Sequence, residues 1–337
     1  VLEEVEGILR FWLDKGIYGF RCDVINQIWK ESLADGKKTP YLIGSEHYLM
    51  KDGNHVILQK MYQDVFSHYD CMTVGETYNV DFKNARRFTD HELDMCFQFD
   101  HMGVDKGKLP IWNKRYQPGK MKKILFAWQK ELDWNANYFE NHDQHRSLGR
   151  FGDTGRYWKE SACMLSLLLL SLRGTPFIYE GEELGMVDYP MFTPETYKDP
   201  VNTTIYNLLR HYHFSRRTAL KWVHNFNRDN ARTPMQWSNA PQAGFSSSKA
   251  TWLPVNPLYP KVNAESEKAD PTSILAFYKR MIALRNKDPI LIFGDFGPMA
   301  TKGSIMAYFR SYNGAIEFVL VNLTGKRQVL PSPIRSM

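Results

Sequence analysis

Apolar residues recur along the chain in two alternating rhythms. Near the start they fall at three- and four-residue steps that stop before Gly16, which predicts an amphipathic helix ended by a glycine. A short β-prone run follows, and the same order of helix and strand then repeats. Five strands are predicted in this way, within residues 18–26, 71–76, 93–99, 137–141 and 175–179, with helices near 55–67, 119–132 and 157–172 between them.

Strands that alternate with helices over short connections predict a parallel sheet, either an open doubly wound sheet or part of a (β/α)8 barrel. The polar residues favour the barrel, because its active site is assembled where the strands end. A dinucleotide-binding sheet would need a Gly-rich fingerprint after its first strand, and the sequence has none. We therefore predict an α/β fold, the C-terminal part (about strands 4 to 8) of a (β/α)8 TIM barrel, over residues 1–288. The polar residues at or just past the predicted strand ends are Asp23, Glu76, Gln98, 141–143 and Glu180.

The last part of the chain has a different pattern. Residues 183–269 are polar and rich in Asn, Pro and aromatic side chains, which predicts a long, loop-rich excursion over the rim of the barrel. A helix is predicted over 270–285. Strand patterns at 305–310 and 316–322 then predict the start of a small all-β C-terminal domain, residues 289–337, which we expect to be truncated.

Composition narrows the range of partners. The 43 basic and 37 acidic residues are interspersed, so the net charge of +6 argues against nucleic acid or an anionic membrane as a partner. The longest apolar run, 164–172, is far shorter than the roughly 20 residues that a membrane-spanning helix needs. The four cysteines have neither disulfide-type nor metal-type spacing, so we expect buried thiols and a cytoplasmic protein. Aromatic residues make up 14% of the chain, which suits either a packed core or a site that stacks on flat ligands.

Carboxylates at the predicted strand ends suggest glycosidic bond cleavage. Cleavage with retention needs one carboxylate to attack the anomeric carbon and a carboxyl about 5 Å away to protonate the leaving oxygen. Asp23 and Glu76 end consecutive predicted strands, and Arg21 lies on the same strand face as Asp23. We expect Arg21 to keep Asp23 ionised and partial burial to raise the pKa of Glu76. His142 and Asp143 add an imidazole and a third carboxylate. Singly, each acidic residue is better explained as a helix cap or ion pair, but their joint placement favours catalysis.

Three segments resemble signature regions of the α-amylase superfamily, glycoside hydrolase family 13. They are Gly-Phe-Arg-Cys-Asp-Val-Ile-Asn at 19–26, Thr-Val-Gly-Glu-Thr at 73–77 and Phe-Glu-Asn-His-Asp-Gln at 139–144. Within that superfamily the chain is more similar to the oligo-1,6-glucosidase, dextran glucosidase and α-glucosidase group. Supporting segments are 97–102, 174–183, 228–237 and 252–257, of which 228–237 is particularly specific.

The resemblance implies a role for each carboxylate. Asp23 would be the nucleophile, Glu76 the general acid/base and Asp143 the stabiliser of the transition state. Arg21 and His142 would contact the nucleophile and the hydroxyls of the cleaved glucose unit.

The resemblance also implies residues that determine specificity. Arg228 would reach the same glucose subsite from the excursion. The residue after the nucleophile is associated in the family with linkage preference, and Val24 implies a preference for α-1,6 bonds. The other interpretation of Val24 is a β-branched core residue.

Three features depart from the family pattern. His145 stands where the motif usually has proline, and Tyr78 stands where close relatives often have tryptophan beside the acid/base, which leaves its aglycone contact open. The family's barrel has three strands and an inserted domain before the equivalent of Val1, with a further signature histidine and often a calcium loop. We therefore expect the chain to be a fragment of a larger gene product or an incomplete sequence, poorly folded and inactive by itself.

The leading hypothesis is a retaining α-glucosidase that hydrolyses short α-glucosides by double displacement and favours α-1,6-linked isomalto-oligosaccharides. Trehalose-6-phosphate hydrolase and sucrose isomerase or transglucosidase activity are alternatives on the same scaffold. A non-catalytic relative or an inactive fragment is the alternative from another class. We expect an oligosaccharide substrate, a monomer at full length, and no cofactor apart from structural calcium in the upstream part.

Overall fold

The computed structural model describes residues 1–39, 42–107, 112–301 and 303–329. These residues divide into two compact units. Unit 1 consists of Val1–His101 and Ile124–Asn137, and unit 2 consists of Met102–Lys123 and Tyr138–Met337.

A parallel three-stranded sheet forms the framework of unit 1, with neighbouring strands β1, β2 and β3 in that order. Gly19 opens β1 at φ 149°, and a Cβ placed there would lie only 1.8 Å from the Met72 carbonyl oxygen, so the close approach of β1 to β2 requires glycine. The elements of unit 1, with helix α5 shared with unit 2, are α1 (Leu2–Asp14), β1 (Gly19–Cys22), α2 (Ser45–Tyr48), α3 (Asp52–Asp64), β2 (Met72–Glu76), α4 (Phe82–Phe88), β3 (Met95–Phe97), α5 (Pro118–Glu131) and β4 (Ala136–Asn137).

Helices pack on this sheet through their apolar faces. Leu9 and Leu13 of α1 join Leu58 of α3 and Phe88 of α4 in one buried cluster, which Trp128 of α5 completes. This burial holds the strands, and therefore the residues at their ends, in fixed positions.

Unit 2 combines a helical part with an antiparallel sheet. Helices α7 and α11 pack together through Leu170, Ile274 and Tyr278. Strands β6, β7 and β8 form the antiparallel sheet in that order. The elements of unit 2 are α6 (Ser147–Phe151), α7 (Trp158–Ser171), β5 (Thr175–Pro176), α8 (Pro200–His211), α9 (Arg216–His224), α10 (Ala264–Ala269), α11 (Ile274–Lys287), α12 (Pro289–Phe293), β6 (Asp295–Pro298), β7 (Ile305–Tyr312) and β8 (Ala315–Asn322).

The predicted strands are present, although shorter than expected. Asp23 directly follows β1, Glu76 is the last residue of β2, and Gln98 directly follows β3. The fourth and fifth strands contain only two residues each. β4 begins one residue before the predicted range 137–141, and β5 covers the first two residues of the predicted range 175–179.

The predicted loop-rich excursion, residues 183–269, contains the helices α8, α9 and α10. Asp199 caps α8 by accepting a hydrogen bond from the Val201 amide, and Pro200 occupies the first turn. The Ser215 side chain caps α9 in the same manner. Both helices then bury apolar residues, Leu209 of α8 and Ala219 and Val223 of α9, in one cluster.

The predicted boundary at residue 289 stays a prediction, with α12 and the antiparallel sheet following it. Residues 330–337 of the predicted β-domain lie outside the described residues. No helix in the described ranges is long and apolar enough to cross a membrane. All four cysteines are unpaired, but only Cys96 is fully buried, where burial raises its pKa to about 12.

Candidate active site

Strand register in unit 1 brings two carboxyl groups to one arginine. Cys22 lies beside Gly75 in the parallel β1–β2 pair, so Asp23 and Glu76 follow at the same level. Arg21 Nη2 donates to Glu76 Oε2 at 2.7 Å, and Arg21 Nη1 contacts Asp23 Oδ1. One guanidinium group therefore joins both carboxyl groups.

The two carboxyl groups differ in their surroundings. The Glu76 side chain is 14% exposed and the Asp23 side chain is 71% exposed. Burial raises the pKa of Glu76, Arg21 opposes that rise, and a hydrogen bond with Asp23 adds to it. The Val24 amide also donates to Glu76 Oε2, at 3.3 Å. A half-buried carboxyl with a raised pKa beside an exposed carboxyl is suited to acid catalysis.

Val24 has an unusual backbone conformation for a β-branched residue. Its φ of 43° and ψ of 38° lie in the left-handed region, which costs valine free energy. Its side chain is 36% exposed, so Val24 is not a core residue. Nearby, the fully buried Asn26 donates from Nδ2 to the Tyr78 carbonyl oxygen at 2.8 Å, and the Tyr78 ring meets Phe99 edge-on at 5.8 Å. These contacts fix the turns that follow β1 and β2.

In unit 2 the arrangement of charges is reversed, because two arginines converge on one carboxylate. Arg232 Nη2 donates to Asp143 Oδ1 at 2.6 Å, and Arg228 Nη1 donates to the same oxygen at 3.2 Å. The Asp143 amide donates to Asn141 Oδ1 at 2.9 Å, which fixes the turn. His142 Nε2 lies 3.6 Å from Asp143 Oδ2.

The two arginines are themselves held in place. Arg228 Nε donates at 2.5 Å to Oδ2 of Asp199, the residue that caps α8. Burial opposes ionisation of Asp199, but its hydrogen bonds with Arg228 and the Val201 amide leave its pKa below the ordinary value. Arg232 Nε donates to the His142 carbonyl oxygen at 2.9 Å. Both guanidinium groups are therefore oriented before any ligand binds.

A buried arginine, Arg146, lies behind Asp143 and its two arginines. Arg146, 1% exposed, donates to Glu140 Oε2 at 3.1 Å, to the Glu180 carbonyl at 2.6 Å and to the Ala231 carbonyl at 3.2 Å. Since Ala231 precedes Arg232, Arg146 links the turn that carries Asp143 to the segment that carries the two arginines.

A second buried carboxyl lies beside Glu140. Glu182 accepts hydrogen bonds from the Tyr278 hydroxyl at 3.1 Å and the Tyr179 amide at 3.2 Å. Burial raises the pKa of both Glu140 and Glu182, and the neighbouring Glu140 adds to the larger rise at Glu182. Glu140 also accepts hydrogen bonds from Arg146 and Ser147, which favour its ionised form, so the pKa of Glu182 is raised further than that of Glu140.

The predicted site residues thus fall into two groups. Unit 1 brings together Arg21, Asp23, Val24 and Glu76, with Tyr78 at the adjacent turn. Unit 2 brings together His142, Asp143 and Arg228. Sequence reasoning missed Arg232 and Asp199. Arg232 lies four residues after Arg228 in the specific 228–237 segment, and Asp199 precedes a proline as a helix cap often does, so both had a local signal.

Among the described residues, no group of three or more His, Cys, Asp and Glu side chains is placed to hold a metal ion.

Comparison with known proteins identifies the family. The α-amylase catalytic domain matches residues 1–294. The chain belongs to the α-amylase family. It is 39% identical to the oligo-1,6-glucosidase of Parageobacillus thermoglucosidasius, over 99% of this chain and 61% of that protein. It is 40% identical to the oligo-1,6-glucosidase of Halalkalibacterium halodurans, over 96% of this chain and 60% of that protein. The chain thus spans about three fifths of the length of these curated relatives.

Solved structures of the α-amylase family have the same fold. A single-residue variant of the trehalose-6-phosphate hydrolase of Bacillus licheniformis superimposes with a TM-score of 0.91 at 36% identity, over 99% of this chain and 62% of that one. These matches confirm the predicted fold class, part of a (β/α)8 barrel followed by a small β-domain.

Proposed function

We propose that the protein is a retaining α-glucosidase that hydrolyses short α-glucosides. The observation that carries the proposal is the pair Asp23 and Glu76, one exposed and one half-buried with a raised pKa, joined by Arg21. Retaining hydrolysis requires one carboxylate that attacks and one carboxylic acid that protonates the leaving oxygen.

Each carboxyl has a defined role in the proposed reaction. Asp23 attacks the anomeric carbon while Glu76 protonates the departing oxygen, which leaves a covalent glucosyl–Asp23 intermediate. Glu76, now ionised, removes a proton from water, the water attacks the anomeric carbon, and Asp23 departs. Asp143, oriented by Arg228 and Arg232, stabilises the positive charge that develops on the sugar in both steps.

The proposed substrates are isomalto-oligosaccharides and related α-1,6-glucosides. Relatives that match nearly the whole chain are named oligo-1,6-glucosidase, and another is named glucan 1,6-alpha-glucosidase. Exposure of the Val24 side chain beside Asp23 supports its predicted part in linkage preference. We propose His142 and Arg21 as further contacts of the cleaved glucose unit, and Tyr78 as a contact of the leaving group.

Trehalose-6-phosphate hydrolysis is the second candidate, favoured by the structural similarity to a hydrolase of that name. Sucrose isomerisation is the third, since a trehalulose synthase, MutB, also superimposes with a TM-score of 0.87. Monomeric state, cytoplasmic location and a calcium site in an upstream part stay predictions.

Asp23→Asn in the full protein tests the proposal. We expect a loss of at least about 10⁴-fold in kcat on p-nitrophenyl α-glucoside and isomaltose, because the amide cannot act as nucleophile. Asp90→Asn is the matched control, since Asp90 is an exposed carboxylate of unit 1 with an 80% exposed side chain. Retained activity in Asp23→Asn would rule out the proposed mechanism.

Product analysis separates the candidate substrates. Wild type should release glucose from isomaltose faster than from trehalose 6-phosphate, and should produce no isomer from sucrose. Val24→Thr should shift the ratio of isomaltose to maltose hydrolysis toward maltose. A preference of the wild type for trehalose 6-phosphate would replace the leading candidate with the second.

A further inference from the structure

One carboxylate holds two consecutive residues of the turn that carries Asp143. His145 Nδ1 lies 2.6 Å from Asp188 Oδ2, and the Arg146 amide donates to Asp188 Oδ1 at 2.9 Å. A carboxylate oxygen only accepts, so the imidazole donates from Nδ1. This is the position where the family motif usually has proline, a residue that has no side-chain donor.

Residues beside this carboxylate reach the segment that carries the two arginines. Asn230 is two residues from both Arg228 and Arg232, and its side chain packs beside His145. Asn230 is fully buried and accepts at Oδ1 from the Tyr189 amide, next to Asp188. His145, Asp188 and Asn230 therefore connect the segments that bring Asp143 and its arginines together.

Burial of the His145 imidazole removes its polar ring nitrogens from water, which costs free energy. A proline side chain at this position would have no such cost. Its ring is 7% exposed and meets the His224 ring edge-on at 5.8 Å. His145 Nε2 and His224 Nδ1 are both buried without a hydrogen-bond partner among the residues that the structure describes. A cavity of about 210 Å³ on this side is lined by His145, Asp188 and His224 and by the charged Lys106, Arg150 and Asp105. The hydrogen bond to Asp188 is thus the one strong polar contact that the described residues give this imidazole.

We propose that His145, through Asp188, is a positioning residue for Asp143. The inference rests on the proposed function, because it assigns His145 an effect on the step in which Asp143 stabilises charge. Loss of the hydrogen bond lets the turn 141–146 move relative to Arg228 and Arg232. Charge stabilisation depends on such placement, so kcat falls while the affinity for substrate changes little.

Four variants of the full protein test the inference by kinetics and by hydrogen–deuterium exchange of peptides that cover 141–146. His145→Ala and Asp188→Ala should each lower kcat on p-nitrophenyl α-glucoside by about tenfold, with KM within about twofold. The double variant should be no slower than the slower single variant, because both changes break one hydrogen bond. His145→Asn, whose amide can donate to Asp188, should restore kcat to within about twofold of wild type. His211→Ala, at an exposed histidine of unit 2, should leave kcat and exchange unchanged.

Exchange distinguishes this inference from the proposed function. His145→Ala and Asp188→Ala should speed exchange in 141–146, and His145→Asn should restore the protection. Unchanged exchange in His145→Ala would overturn the inference. So would faster exchange with unchanged kcat, because His145 would then only stabilise the turn. A wild type that cleaves no α-glucoside would reject the proposed function and, with it, the catalytic part of the inference, whatever the exchange of 141–146.

Discussion

The predicted site residues of unit 1 and those of unit 2 have opposite arrangements of charge. In unit 1, one guanidinium group lies between two carboxyl groups, and burial raises the pKa of the carboxyl at Glu76. In unit 2, two guanidinium groups donate to one oxygen of Asp143. With one guanidinium group for two carboxyl groups, one carboxyl is favoured as a group that binds and releases a proton. With two guanidinium groups for one carboxylate, that carboxylate is kept ionised and fixed in orientation. The comparison supports the three different roles proposed for Asp23, Glu76 and Asp143.

The groups behind the two halves differ as well. In unit 1 they are neutral amides: Asn54 Nδ2 donates to the Asn26 carbonyl at 2.9 Å, and Asn54 Oδ1 accepts from the Trp29 amide at 2.8 Å. In unit 2 they are buried charges, Arg146 with Glu140 and Glu182. We therefore expect substitution of these buried charged residues in unit 2 to lower the free energy of unfolding more than substitution of the buried amides in unit 1.

The largest effect is expected from Glu140→Gln. The change leaves the buried Arg146 without its carboxylate partner, so we expect a loss of about 3 kcal/mol in the free energy of unfolding. Glu182→Gln, the matched control, should cost less than about 1 kcal/mol, because the hydrogen bonds of Glu182 come from the neutral Tyr278 hydroxyl and Tyr179 amide and no buried arginine loses its partner. Urea denaturation measures both, and equal losses would show that the pairing with Arg146 is not what makes Glu140 more important for stability.

The same pair predicts a dependence of stability on pH. The pKa of Glu182 is raised in the folded state, so above the ordinary glutamate pKa the unfolded chain releases a proton that the folded chain retains. Stability therefore falls as the pH rises through that range. In Glu182→Gln the decrease in Tm from pH 5 to pH 7.5 should be smaller than in wild type. A decrease equal to that of wild type would contradict the raised pKa of Glu182.

Arg232→Gln tests the reversed arrangement in unit 2. Loss of the 2.6 Å hydrogen bond to Asp143 should lower kcat on an α-glucoside by about 100-fold. Arg228→Gln should cost less, because its hydrogen bond to Asp143 is longer, at 3.2 Å. Steady-state kinetics of the two variants give the loss of kcat for each arginine. A larger loss in Arg228→Gln than in Arg232→Gln would contradict this explanation of how Asp143 is held.

Arg21→Gln tests the effect of the single guanidinium group on the pKa of Glu76 in unit 1. Arg21 lowers the pKa of Glu76 against the effect of burial, so its removal should raise that pKa further. Because the general acid must be protonated, the alkaline limb of kcat/KM should move to higher pH in the residual activity. A limb that moves to lower pH would mean that another group controls it.

The smallest effect is expected at Val24. Asparagine tolerates the left-handed conformation that valine adopts at φ 43°, so Val24→Asn should stabilise the fold by about 0.5–1 kcal/mol. Thermal unfolding measures the gain, and a Tm below that of wild type would argue against backbone strain at this turn.

Local sequence pattern predicted the strands and the three carboxylates, because a catalytic residue at a strand end follows from the strand itself. Asp23 and Glu76 needed only the ends of β1 and β2 to be identified. The helices of the excursion were missed because their caps, Asp199 and Ser215, lie among polar residues that resemble a loop.

Contacts between distant segments could not be predicted in this way. His145 meets Asp188 43 residues further on, and Arg146 meets Ala231 85 residues further on. Neither pair has a shared period or motif, so only the folded chain brings them together.

Trapping of the covalent intermediate tests the central claim most directly. The full protein is incubated with 5-fluoro-α-glucosyl fluoride, which slows both steps, and digested peptides are then analysed by mass spectrometry. The account predicts one fluoroglucosyl group attached to Asp23 in the peptide that contains β1. A label on Glu76, on Asp143 or on any other residue would contradict it.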